Sequence, residues 1–197
     1  MSGSAFALTP ARRTMLLIVA LLTMPFAVAF GLYWFEWRPA TLGNHGELIQ
    51  PPQALPESGL AHIDGRPLPT SALRGKWTLV RVSQGACDSA CQNDLQQMRQ
   101  VQVALNKEMA RLQRVLIDST PADPALPELR RLYPDLLIAA PTASRAGDLW
   151  RAALGSSEHR FYVIDPLGNV MMRYIDKPDM QGMRKDLERL LKYSWVG

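Results

Sequence analysis

The chain has 197 residues and a formal net charge of +4, with 47% hydrophobic and 20% charged residues. That is an ordinary globular balance, which excludes a largely disordered chain and fits one folded domain with attachments. The charge is not gathered into Lys/Arg runs interleaved with aromatics, which argues against nucleic-acid binding. Two cysteines with the scattered histidines His45, His62 and His159 give no zinc-ligand spacing, so a dithiol/disulfide pair or a soft-metal site remains.

Residues 1–13 form a short tail whose only charges are Arg12 and Arg13, and Thr14 to Phe35 then runs without an ionised side chain. This predicts a membrane anchor over residues 14–36, long enough to span a bilayer. The cluster Tyr33-Trp34-Phe35-Glu36-Trp37-Arg38 reads as an interfacial aromatic belt. The two arginines ahead of the span hold the tail in the cytoplasm and send the rest of the chain outward. A cleaved signal peptide competes with this reading, because Ala27-Val28-Ala29 is a small-x-small site. Apolar and aromatic residues continue beyond that site, which favours an uncleaved anchor. Arg12-Arg13 also allows a twin-arginine signal, but the orientation rule already accounts for the pair.

Residues 37–60 contain Pro39, Pro51, Pro52 and Pro56 with little periodicity and are expected to be an extended spacer. The folded domain is expected over residues 61–197, opening with a short hairpin around His62-Ile63-Asp64-Gly65. Trp77 to Val82 is apolar and β-branched enough for a buried strand, and Gly85 marks the turn out of it. Cys87 and Cys91 follow at a strand-to-helix corner. Ser89 with Gln92 forms a capping-box pattern that places Cys87 just before a helix and Cys91 in its first turn. Free N–H groups and the positive end of the helix dipole favour a thiolate there, with Cys87 as the outer, more reactive sulfur.

Leu95, Met98, Val101, Leu105, Met109 and Leu112 have the spacing of one long amphipathic helix. Val115-Leu116-Ile117 is a short buried strand, expected to lie parallel to the first. Leu126 to Tyr133 and Ala146 to Leu154 read as short helices, with Leu136 to Ala139 a strand between them. Phe161 to Ile164 and Val170 to Tyr174 flank Asp165-Pro166-Leu167-Gly168-Asn169 as a hairpin. Pro178 opens a last helix with a stripe of Met180, Met183, Leu187, Leu190 and Leu191. The methionines fall mostly on such stripes and read as core. Arg81, inside the strand expected to be central, breaks the apolar pattern without a sequence-level explanation.

This order predicts an α/β protein with a thioredoxin-like fold preceded by one N-terminal transmembrane helix. Gly75-Lys76-Trp77, Cys87-Asp88-Ser89-Ala90-Cys91 and Phe161-Tyr162-Val163-Ile164-Asp165-Pro166-Leu167-Gly168 resemble the membrane-anchored Sco/SenC family. In particular they resemble the short Sco-like transmembrane proteins of proteobacterial cytochrome oxidase gene clusters. The resemblance implies a factor in cytochrome c oxidase biogenesis in the bacterial inner membrane, with its C-terminal domain in the periplasm. Its partner would be the copper-binding subunit of the oxidase.

On that resemblance Cys87 and Cys91 are the redox-active residues and the copper ligands, and His159 is the histidine ligand. His159 stands nearer to Tyr162 than the family's histidine usually does, Ser157 holding that place, and Gln92 replaces the family's proline after the second cysteine. Thiolates are soft ligands, so the metal expected is Cu(I). Two other readings stay open: a metal-free thiol–disulfide oxidoreductase acting on partner cysteines, and a non-catalytic assembly scaffold. An inert disulfide is the plainest role for the pair. A bridge across so short a loop adds little stability, however, which favours chemistry.

Overall fold

The structure, a computed structural model, describes residues 9–35, 43–118, 120, 123–154, 159–175 and 177–195, with the backbone only of His159. The chain divides into two units, residues 1–42 and residues 43–197. The first contains helix α1, Pro10–Trp34, which is long and apolar enough to cross a membrane. Proline at its start costs no hydrogen bond, since the first-turn N–H groups lack helical partners in any case.

Among the described residues the second unit is built on one eight-stranded sheet. Its strands are β1 (Glu47–Ala54), β2 (Leu60–His62), β3 (Pro67–Leu68), β4 (Trp77–Ser83), β5 (Leu112–Asp118), β6 (Leu136–Pro141), β7 (His159–Ile164) and β8 (Asn169–Ile175). The helices are α2 (Ser89–Ala104), α3 (Leu126–Leu132), α4 (Arg145–Leu154) and α5 (Met180–Tyr193). The strand order is β1-β8-β7-β4-β5-β6-β2-β3. β4, β5 and β6 are parallel, as the strand–helix–strand reading requires, and the flanking pairs are antiparallel.

Alternation along β4 and β5 divides the core between two faces. Leu79 and Leu116 point to the face packed by Leu95 and Met98 of α2 and by Met183 and Leu187 of α5. Val80, Val115 and Ile117 point to the other, covered by Trp150 and Leu154 of α4. Each fully buried side chain of this size contributes about 1.5–3 kcal/mol. In the β7–β8 turn Gly168 has φ +95°, a conformation natural to glycine, and the Asp165 carboxylate accepts the N–H groups of Leu167 and Asn169.

Two local expectations differ from the structure. Residues 47–54, within the stretch read from its prolines as a spacer, form β1. Pro51 and Pro52 are accommodated because β1 is an edge strand, where a missing N–H need not break a ladder, and its pairing with β8 shifts register between Leu48 and Gln53. The long helix expected through Leu112 ends at Ala104. A 3-10 helix over Asn106–Arg111 follows, with Asn106 at φ +51°, and Leu112 is already the first residue of β5.

Candidate functional site

β4 delivers the chain to the cysteine corner. Its final residue, Ser83, donates its hydroxyl to the Gly85 carbonyl at 2.6 Å, which helps turn the backbone out of the sheet. The helix cap is Asp88, not Ser89: its Oδ1 accepts the Cys91 N–H at 2.9 Å, so Cys91 is the third residue of α2 and Cys87 precedes the cap. Gln92, read as the capping-box partner, instead donates its side-chain amide to the Cys87 carbonyl at 3.3 Å.

Cys87 and Cys91 are joined by a disulfide, with their Cα atoms 5.2 Å apart. Exposure does not distinguish an outer sulfur from an inner one, since the residues are 3% and 2% exposed. The difference from the sequence reading arises because Cys87 packs into the same apolar cluster as Cys91, with Leu95 and Met98.

A pair of acids closes the corner from beneath, and the sequence reading did not single it out. Asp118 ends β5 directly opposite Ser83 of β4, and Asp123 lies in the following connection; both are buried. Asp123 Oδ2 accepts the Cys87 N–H at 2.5 Å, and Oδ1 accepts the Ala125 N–H at 2.8 Å. Burial pushes Asp118 up to about 6. The Thr120 N–H opposes this rise, and hydrogen bonding to and repulsion from Asp123 add to it. Burial also favours neutral Asp123, but the N–H groups of Cys87 and Ala125 and the hydrogen bond with Asp118 outweigh it and hold that carboxyl below the usual range. The two acids thus differ in proton affinity: below about pH 6 Asp118 keeps a proton while Asp123 is the anion.

Arg81 also finds its explanation here. Its side chain is buried, its Nε donates to Asp94 Oδ2 at 2.8 Å, a second nitrogen donates to the Val82 carbonyl, and its guanidinium lies 5.3 Å from the centre of the Phe161 ring. Asp94 is on α2, one turn after Cys91, so the ion pair fixes that helix to β4.

His159 begins β7, where its backbone pairs with Ile175. The β4–β7 register sets Arg81 opposite Phe161; continued by two residues, it puts His159 beside Ser83, at the sheet end from which the chain leaves for Cys87. Its side chain and the whole of Ser157 lie outside the described residues. Among the described residues no cluster of three or more His, Cys, Asp or Glu side chains is assembled for a metal. The donor set that fits a soft metal is the sulfur pair itself, which becomes two adjacent thiolates on reduction.

A family model described as a transmembrane-like, thioredoxin-like, C-terminal domain matches residues 77–194. No curated protein sequence matches the chain. Yeast Sco1 with copper bound has the same fold at a TM-score of 0.57 and 20% identity, covering 74% of this chain and 96% of that one. Apo Sco1 from Thermus thermophilus gives 0.57 at 17% identity, covering 78% and 98%. BsSco, described as having a disulfide switch and as a member of the Sco family of cytochrome c oxidase assembly proteins, gives 0.53 at 14%, covering 75% and 100%. These likenesses establish a Sco thioredoxin-like fold.

Proposed function

The chain belongs to the family of transmembrane-like, thioredoxin-like C-terminal domains, and from that premise we propose that it is a membrane-anchored factor of cytochrome c oxidase biogenesis whose reduced Cys87–Cys91 pair holds Cu(I) as cargo. The observation behind this reading is the corner itself: two sulfurs at a helix start, with Cα atoms 5.2 Å apart, in the fold of copper-bound yeast Sco1. Reduction of the disulfide takes two electrons and two protons, supplied by a partner dithiol that becomes a disulfide in turn. The thiolates then form a soft, two-coordinate site, with His159 the proposed third ligand. The copper-binding subunit of the oxidase is the proposed recipient. In this reading α1 lies in the bacterial inner membrane and the sheet unit in the periplasm.

A second reading, a metal-free thiol–disulfide oxidoreductase acting on the cysteines of that partner, is favoured by the disulfide and by the acid pair beneath it. The test is an anaerobic Cu(I) titration of the full-length protein in detergent, once reduced and once oxidised. The copper reading expects one equivalent bound tightly by the reduced form and none by the oxidised form. Weak or no binding by the reduced protein, with rapid disulfide exchange against a partner dithiol, moves the assignment to the oxidoreductase.

A further inference from the structure

At the opposite end of β4 from the cysteines lies a shallow groove of about 390 Å³, floored by Trp77, Met171 and Leu190 and rimmed by Leu167 and Tyr193. The rim is unusually apolar for a surface. Leu167 is 66% exposed and Tyr193 70%, and Trp195, two residues on, is wholly exposed. Trp195 does not sit on a frayed end, because Arg111 donates to the carbonyls of Leu191 and Ser194 and clamps the end of α5. Leu167 and Tyr193 are therefore held in water on the rim, and exposed Trp195 follows directly on Ser194 of the same lining, the kind of surface that marks an interaction site.

Its charge is one-sided. Lys192 lies 5.5 Å from the Tyr193 ring centre. Lys76 is exposed on the segment whose Gly75 N–H bonds to the Pro166 carbonyl, beside Leu167. The nearby acids are engaged elsewhere: Asp165 accepts the hydrogen bonds of its own turn, and Glu188 pairs with Arg184. An apolar and aromatic patch edged by lysines is what an anionic bilayer interface accepts, with rings at the headgroup level and ammonium groups among the phosphates.

The chain's own course keeps this patch close to the start of the sheet unit. Arg189, on the groove, donates to the carbonyl of Gly43, the first residue of the sheet unit, and Asp186, one turn earlier on α5, holds the N–H groups of His45 and Gly46. From Arg189 to Tyr193, the last residue of α5, is about 6 Å at helical rise, and Trp195 is two residues further on. Seven residues, 36–42, separate Gly43 from the end of the apolar span, a length of at most about 25 Å fully extended.

We propose that the patch of Leu167, Tyr193 and Trp195, edged by Lys76 and Lys192, is a lipid-facing surface that seats the sheet unit on the anionic interface of the bilayer holding its own anchor. Trp77 and Ser83 end β4 at opposite sides of the sheet, about 20 Å apart, so this seating turns the cysteine corner away from the lipid. The inference rests on the anchor reading of α1 and is independent of what the cysteines bind.

The test uses the full-length chain with Trp34→Phe and Trp37→Phe, reconstituted at one copy per nanodisc of phosphatidylcholine and phosphatidylglycerol. The emission due to Trp195 is taken as the difference from the same protein carrying Trp195→Phe. Acyl-brominated lipids are expected to quench most of that emission. Lys76→Glu with Lys192→Glu, or discs of phosphatidylcholine alone, should restore it without altering thermal unfolding. Equal Trp195 emission in brominated and plain discs overturns the proposal. So does shielding seen only with two copies per disc, which would make the patch a contact between copies. A chain that leaves the disc overturns the anchor and this surface together, while copper titration still reports on the cysteines.

Discussion

The carboxylate of Asp123 accepts the backbone N–H of Cys87 at 2.5 Å across 36 residues of sequence, tying the disulfide corner to the loop after β5. Asp123→Ala leaves that buried N–H without an acceptor and should destabilise the oxidised protein by about 1–3 kcal/mol. Asp123→Asn, which keeps an acceptor oxygen, should lose less. Urea unfolding of the oxidised proteins measures both. Equal stability of the alanine variant and the parent would show that the contact does not hold the corner.

Asp118 gives the protein a characteristic pH dependence. Its folded pKa of about 6 lies above the ordinary 3.8. Between roughly pH 4 and 6 the folded state therefore holds a proton that the unfolded state has released, and stability falls as pH rises. The loss is complete above pH 6 and reaches at most about 3 kcal/mol, from about two pKa units. Asp123 has the opposite sign: its depressed pKa stabilises the fold above its ordinary pKa, and that stability is lost as pH falls. Asp118→Asn should abolish the decline between pH 4 and 6 and leave the acid limb in place. Unfolding curves across that range that superpose on the parent's would contradict the assignment.

Replacing Arg81 by Met removes the ion pair that joins β4 to Asp94 of α2 and should cost about 3–5 kcal/mol, the range for breaking a buried ion pair. Adding Asp94→Leu should recover part of that loss. A double-mutant cycle by chemical denaturation reads the coupling directly, and additive losses would show that the pair acts only through packing.

Reducing the disulfide should leave the fold intact. Closing a loop of about five residues stabilises by about 2 kcal/mol in the chain-entropy account. The reduced protein is accordingly expected to melt a few degrees lower with an unchanged far-ultraviolet spectrum. Loss of secondary structure on reduction would make the bridge a structural staple.

His159→Ala is expected to weaken Cu(I) binding by at least tenfold, about 1.4 kcal/mol, without changing the rate of disulfide exchange. Copper affinity equal to the parent's would remove His159 from the ligand set.

Much of this arrangement was legible in the sequence because it is encoded locally. Trp77 to Val82, the cysteine spacing, the Asp165 to Asn169 turn and the stripe of α5 each carry a periodicity or a turn residue, and β4, the start of α2, the β7–β8 hairpin and α5 stand where those signals put them. What escaped depends on distant partners. β1 exists only because β8 offers it an edge, a relation that its prolines conceal. Arg81 needed Asp94, and His45, in the stretch read as a spacer, needed Asp186. Asp118 and Asp123 are ordinary strand-end and loop residues until burial and the N–H groups around Asp123 set their proton affinities apart.

The path of the chain into the sheet unit has a mechanical consequence. Asp186 grips the backbone of His45 and Gly46 and takes the Tyr174 hydroxyl at 3.0 Å, and the chain then runs directly into β1 at the sheet edge. A pull on the tether is met first by this grip and then by the β1–β8 ladder. β8 and β7 both stand between β1 and β4, so tension peels an edge strand before it can deform the turn that holds Cys87. The entry strand and the disulfide corner thus occupy mechanically separate parts of one sheet, and tension applied ahead of Gly43 leaves the geometry around Cys87 undisturbed.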